Sequence, residues 1–243
     1  MVLCSNFVIA QGLMITEITD PQNSSDAGRY VEIYNPSTDD IDLSTGYALQ
    51  RWTNGNADPQ SAVALTGTIA AGGFYVVCND AAEFLATYGM DASQDIGTGG
   101  PADSNGDDNI ALLGPDGSII DMFGVAGEDG SGTAHEFEDG RAERKASSTT
   151  PSSSWASSDW NIWNDTGGNG TTDSPQEAPD DYDPGYWIGA TDVDTWIGRS
   201  NASWATAGNW SSGVVPASGD KVFIHDANND PDISSADIEI TDL

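Results

Sequence analysis

The sequence predicts an all-β protein: an antiparallel β-sandwich with one short helix, followed by a second β-rich segment. Three observations carry this. About eight short runs alternate apolar and polar residues with a period of two and are rich in β-branched and aromatic side chains. Most are joined by tight turns of Gly, Pro, Asn and Asp, with no helical crossover between them. Helix punctuation surrounds one stretch, Ala81 to Tyr88. Strands joined by tight turns pack as a sandwich, whereas alternation with helices would build a parallel sheet.

The run Met1 to Gln11 (MVLCSNFVIAQ) is apolar and too short to span a bilayer. It reads as the tail of a secretory signal peptide, so residues 1–11 are expected to be a leader remnant. The sandwich is expected over 12–145. Its first strand is 13–18, followed by a turn-rich loop over 19–28. The strongest strand is 29–36: Tyr30, Glu32 and Tyr34 point one way, Val31 and Ile33 the other, and Asn35-Pro36 ends it. Val31 and Ile33 are the expected core face, with the tyrosines and Glu32 read as structural. Short extended pieces follow at 41–44, 46–52 and 62–65, then a bend at 68–73 and a strand at 74–78. Asn79-Asp80 supplies a cap, Glu83 the first-turn acid and Gly89 the stop for a helix over 81–88. Residues 91–108 are polar and glycine-rich. Gly114-Pro115-Asp116-Gly117 joins 109–113 and 118–123 as a hairpin. Candidate strands at 134–138 and 142–145 flank Asp139-Gly140.

Composition shifts at Ala146. Residues 146–185 are read as a linker rich in Ser, Thr, Pro, Gly and Asp, with an aromatic knot at 155–163 that folds back on the sandwich. The stretch 167–185 is expected to stay free. From Tyr186 the pattern changes: Trp187-Ile188-Gly189 is echoed by Trp196-Ile197-Gly198, and further strand-like runs reach 241. Residues 186–243 are read as the truncated start of a β-rich repeat region, too short to bury much core alone.

Several of these pieces recur together in one family. Ile15-Thr16-Glu17-Ile18, Tyr30 to Pro36, Ile41 to Leu49, Ile69 to Val77, Asp107 to Leu113 and Ile119-Ile120-Asp121 stand in the order and spacing of a lamin-tail domain. Residues 13–145 resemble that family, which implies an immunoglobulin-like sandwich acting as a binding or structural module of bacterial secreted and surface proteins. The family brings no catalytic residues. Trp204 to Trp210, Val215-Pro216 and Gly219 to Ile224 resemble the opening of a β-helix-like adhesin region. In such a region each coil is stabilised by stacking on the next.

Charge narrows the partners. Against 39 Asp and Glu there are 7 Lys and Arg, a formal net charge of −32. Such a surface repels nucleic acid and anionic membranes and attracts divalent cations. Together with the leader-like start, it suits a secreted or cell-surface protein. Asp103-Ser104-Asn105-Gly106-Asp107 spaces Asp103, Asn105 and Asp107 as calcium ligands are spaced, and Asp226 to Asp230 repeats the pattern. Neither continues as an EF-hand: the sixth position is Asp108 or Pro231, the twelfth Gly114 or Asp237. Asp103, Asn105 and Asp107 are therefore the calcium candidate, beside the alternative of a solvated turn. No other cofactor is implied.

Enzymatic chemistry finds no foothold. His135 and His225 stand far apart and outside any metal-binding motif, with His135 read as a surface strand-end residue. Gly97 to Ala102 nominally fits a dinucleotide fingerprint but opens no helix. No nucleophile elbow is present. Cys78, in a strand-like run, reads as a small buried hydrophobe. Arg141, Arg144 and Lys145 stand among acids and read as an ion-paired strand face, with an anion-binding patch as the alternative. Trp155, Trp160 and Trp163 are expected to cover the sandwich, with sugar stacking as the alternative. The chain is expected to be a non-enzymatic module that meets a protein or glycan ligand at the cell surface, in adhesion or domain positioning. Two alternatives stand beside it: an accessory domain of a secreted nuclease or other hydrolase, and a carbohydrate-binding module.

Overall fold

A computed structural model describes residues 12–23, 28–190, 193–196, 198, 200–210, 214–217, 221–224, 229, 231 and 232. The leader expectation at 1–11 lies outside the described residues, as does all of the second calcium-like loop except Asn229. The chain divides into two compact units, one through Gly189 and one from Ala190.

The first unit runs β1 (Met14–Thr19), β2 (Tyr30–Tyr34), β3 (Ile41–Asp42), β4 (Ala48–Trp52), β5 (Val63–Ala64), β6 (Thr68–Ile69), β7 (Phe74–Cys78), α1 (Ala81–Tyr88), β8 (Gln94–Asp95), β9 (Asn109–Leu113), β10 (Ile119–Phe123), β11 (Arg141–Arg144), β12 (Trp160–Asn164) and β13 (Thr172–Asp173). One sheet orders as β13-β12-β11-β1-β2-β7-β8 and the facing one as β10-β9-β4-β5, with β3 and β6 as a small extra pair. The architecture is an immunoglobulin-like β-sandwich with one short helix.

The core lies between the two sheets. Ile15, Ile18, Val31, Ile33 and Val77 from the long sheet meet Leu49, Ile110, Leu112 and Phe123 from the facing one. Val31 and Ile33 are both fully buried, so the period-two reading of 29–36 holds. The helix is punctuated as its sequence implies. The Asp80 side chain accepts from the N–H groups of Ala82 (2.9 Å) and Glu83 (3.0 Å). Gly89, left-handed at φ 70°, closes the other end. Gly114 donates to the Ser118 carbonyl at 2.9 Å across the hairpin turn.

Two expectations are corrected. Residues 134–138 form turns and no strand. The two-residue spacing of His135 and Phe137 imitates a strand, but the backbone bonds to loops instead: Phe137 N–H donates to the Gly106 carbonyl at 2.8 Å.

The second correction concerns 167–185: this stretch does not stay free, whereas the knot folds back on the sandwich as expected. The aromatic knot supplies β12, antiparallel to β11 with Arg141 opposite Trp163 and Arg144 opposite Trp160. Residues 176–187 then lie on the sandwich: Gln176 N–H donates to the Asp139 carbonyl (2.9 Å), and Trp187 Nε1 to the Arg144 carbonyl (2.6 Å). Polar composition concealed this, because the segment docks through backbone hydrogen bonds and three buried rings, Tyr182, Tyr186 and Trp187. The sandwich unit therefore ends at Gly189 and not at 145.

In the second unit β14 (Val193–Trp196) pairs in parallel with β15 (Lys221–Ile224). Trp196 and Trp210 are buried, and Trp210 donates to the Trp204 carbonyl at 2.8 Å. Among the described residues no helix is long and apolar enough to cross a membrane.

Candidate functional site

The first unit buries a cluster of ionisable groups on the outer face of the long sheet. The cause is local. Ile15 opposes Ile33, but Glu17 opposes Glu32, so Thr16 is an extra residue and β1 carries a bulge there. The bulge lets Ile15 and Ile18 both enter the core while, on the other side, Thr16 meets Glu32 and Glu17 meets Tyr30. On that side Tyr30, Val76 and Cys78 pack with Phe84 of α1 and with Ala178 and Tyr182 from 176–187. The rings of Tyr34 and Trp187 meet at 5.5 Å.

Glu17 and Glu32 sit beneath this cover, 2% and 0% exposed. Glu17 accepts from Arg141 Nη1 at 2.9 Å and from the Tyr30 hydroxyl. Glu32 Oε1 lies 2.7 Å from Thr16 Oγ1, and its Oε2 accepts from Gly185 N–H at 2.6 Å. Arg141 also pairs with Asp183 at 3.1 Å and lies over the Trp163 ring, 5.0 Å from its centroid. Burial pushes Glu17 up to about 8, against the pull of Arg141. Burial, with Glu17 next, drives Glu32 well above the carboxylate range. Burial disfavours the Arg141 cation, but Glu17, Asp183 and Glu143 more than offset that and hold it charged. All four carboxylate oxygens have protein partners and are closed off from solvent.

The calcium candidates take separate partners. Asp103 accepts from Arg29 (3.3 Å), Asn79 (3.0 Å) and Gly99 N–H (2.6 Å). Asn105 is exposed. Asp107 Oδ2 accepts from Asn54 at 2.6 Å, while its Oδ1 is buried without a partner. Asp103 is thus occupied by a salt bridge, and Asp107 alone of the three keeps a buried free oxygen. Among the described residues no group of three or more His, Cys, Asp or Glu is gathered to hold a metal ion.

Two of the basic trio, Arg141 and Arg144, are ion-paired, and Arg144 is fully interior. Arg144 pairs with Asp121 at 2.5 Å, donates to the Ile15 carbonyl at 2.6 Å and covers the Trp160 ring. Lys145 donates to the Ser158 carbonyl at 2.9 Å. His135 is not a surface residue: it is fully buried, 3.0 Å from Thr133 Oγ1, and burial lowers its pKa. Trp160 is 4% exposed and belongs to the core, so it offers no face for a sugar. Cys78 is buried, and burial pushes its thiol up to about 11.

Sequence reasoning missed the Glu17–Glu32–Arg141–Asp183 cluster. One signal was present: Glu17 and Glu32 both stand mid-strand among β-branched and aromatic residues, where an acid needs a reason. Residues 10–127 match the family model described as Lamin Tail Domain. No curated protein matches the chain. The matched stretch ends before β11, whereas the folded unit uses β11, β12 and β13 to complete its long sheet and lays 176–187 over it.

Proposed function

We propose that this chain is a non-catalytic binding or structural module of a secreted or cell-surface protein, with its lamin-tail-like sandwich acting in adhesion or in positioning a neighbouring domain. The observation that carries the reading is how the first unit spends its reactive groups. Arg29, Arg51, Arg141 and Arg144 each pair with a carboxylate of the same unit. Glu17 and Glu32, both raised by burial, are closed off beneath 176–187. A lamin tail domain is an immunoglobulin-like module, a kind that generally carries no catalysis. The acidic surface supports an extracellular setting and a partner that is basic or bridged by divalent cations. In the second unit, the parallel pairing of Val193 with Lys221 supports the start of a coiled, repeat-like region.

Two measurements test this. Fractionation of cells expressing the full reading frame should place the chain outside the cytoplasm, and recovery in the cytosol would sink the extracellular part. The purified chain should show no nuclease or glycosidase turnover. Turnover lost on Glu17→Gln would overturn the non-catalytic part and favour the secreted-enzyme reading.

A further inference from the structure

Residues 176–187 lie over an imbalance of charge. Glu17 on β1, Glu32 on β2, Glu143 on β11 and Asp183 on the segment itself surround one cation, Arg141. The other titratable groups facing the pair are hydroxyls: Tyr30 on β2, Tyr88 on α1 and Tyr182 on the segment. Adjacent carboxylates taken out of water on neighbouring strands do not both ionise readily. The hydrogen bonds give the proton a seat. Thr16 Oγ1 lies 2.7 Å from Glu32 Oε1 and 3.5 Å from the Glu32 carbonyl oxygen. The hydroxyl donates to Glu32 Oε1, as Gly185 N–H does to Oε2, but among the described residues no cation pairs with that carboxyl. Glu17 has the Arg141 guanidinium at 2.9 Å and is the better seat for charge, which leaves Glu32 the better seat for the proton.

We propose that residues 176–187 form a proton-operated strap, closed while Glu17 and Glu32 share a proton and released as the pair loses it. The strap is wired to the pair directly: Gly185 N–H meets Glu32 Oε2 and Asp183 meets Arg141. Loss of the proton leaves two buried anions on neighbouring strands with Asp183 close by, and lifting the strap lets water reach them. Both carboxyls sit above their ordinary values when buried. Closure is therefore fully favoured below the ordinary carboxylate range and is lost as pH rises towards and past about 8. Release uncovers the Tyr30–Val76–Phe84 face and loosens the chain that leads into the second unit.

Hydrogen exchange on the full chain, corrected for intrinsic rates, tests this with β9 as the internal reference. Between about pH 6 and about pH 9, protection of 176–187 should fall at least about tenfold relative to β9. Glu32→Gln should hold the strap closed and flatten that profile. Glu143→Gln, which removes one facing charge and leaves the bonds of the strap in place, should move release to higher pH. Protection that tracks β9 at every pH would overturn the proposal, as would a Glu32→Gln profile that matches the parent. If Glu32→Gln does not fold, Glu143→Gln decides, and an unmoved midpoint overturns the strap.

Discussion

Ile33 and Arg144 are both fully enclosed, yet they stabilise the fold by different means. Ile33 is apolar area removed from water. Truncation to Ala should cost about 2–5 kcal/mol, read from the urea midpoint at unchanged slope. Arg144 is a cation held by Asp121, the Ile15 carbonyl and the Trp160 face. Its removal in Arg144→Ala strands the Asp121 charge, and about 3–5 kcal/mol should be lost. A loss under about 1 kcal/mol would mean that water reaches Asp121. Val31 and Ile33 were legible in the sequence, because alternation alone assigns a strand's two faces. The burial of Glu32 was not, since its cover comes from Gly185, 153 positions along the chain.

At the scale of elements, local chemistry and pairing differ in legibility. Helix α1 was legible residue by residue, since its cap and stop are sequence-local. Asp80→Ala should cost about 1 kcal/mol by thermal melting, with the helix the first part to lose exchange protection. The bulge at Thr16 was not legible, because two-residue alternation has no symbol for an inserted residue. Its weight is testable by deletion of Thr16. Without the extra residue, either Ile18 or Glu17 turns to the wrong face, and the chain should lose its cooperative transition. A deletion variant that melts cooperatively near the parent temperature would show that β1 can slide into register. The turns at 134–138 were misread for a related reason, since spacing of buried side chains does not reveal whether the backbone has a strand partner.

For the whole molecule, charge and pH act in one direction. The formal net charge is −32, and the arginines of the sandwich are committed to internal pairs, so the acidic surface keeps little compensation. The screening length falls from about 30 Å at 0.01 M salt to about 3 Å at 1 M. The melting temperature should therefore rise across that range, and a fall would show that the internal ion pairs govern stability. Asp20 is raised to about 6 and Glu17 to about 8, each chiefly by burial, so folding takes up protons. For raised carboxyls the stability is complete below their unfolded values and is lost as pH rises through the folded ones. The urea midpoint should decline from about pH 5 to about pH 8.5, and a rise over that window would contradict these two assignments. The sandwich class was legible from strand number and turns. The extent of the unit was not, because the rings that dock 176–187 stand alone in a polar stretch with no period and much of the contact runs through its backbone.

The neighbour of β1 on one side is β2, but on the other it is β11, with Glu17 opposite Glu143. A ribosome delivers these partners far apart in time. At about 5–20 residues per second, β1 and β2 wait on the order of ten seconds for β11 to be made, and longer for the cover over Glu17 and Glu32. During that interval β1 offers an open edge to any strand nearby. Glu17 on β1 and Glu32 beside it on β2 are then still hydrated and ionised, and their like charges next to an unpaired edge discourage contact with a neighbouring nascent chain. The carboxylates that strain the finished fold thus act earlier as guards of an unfinished one.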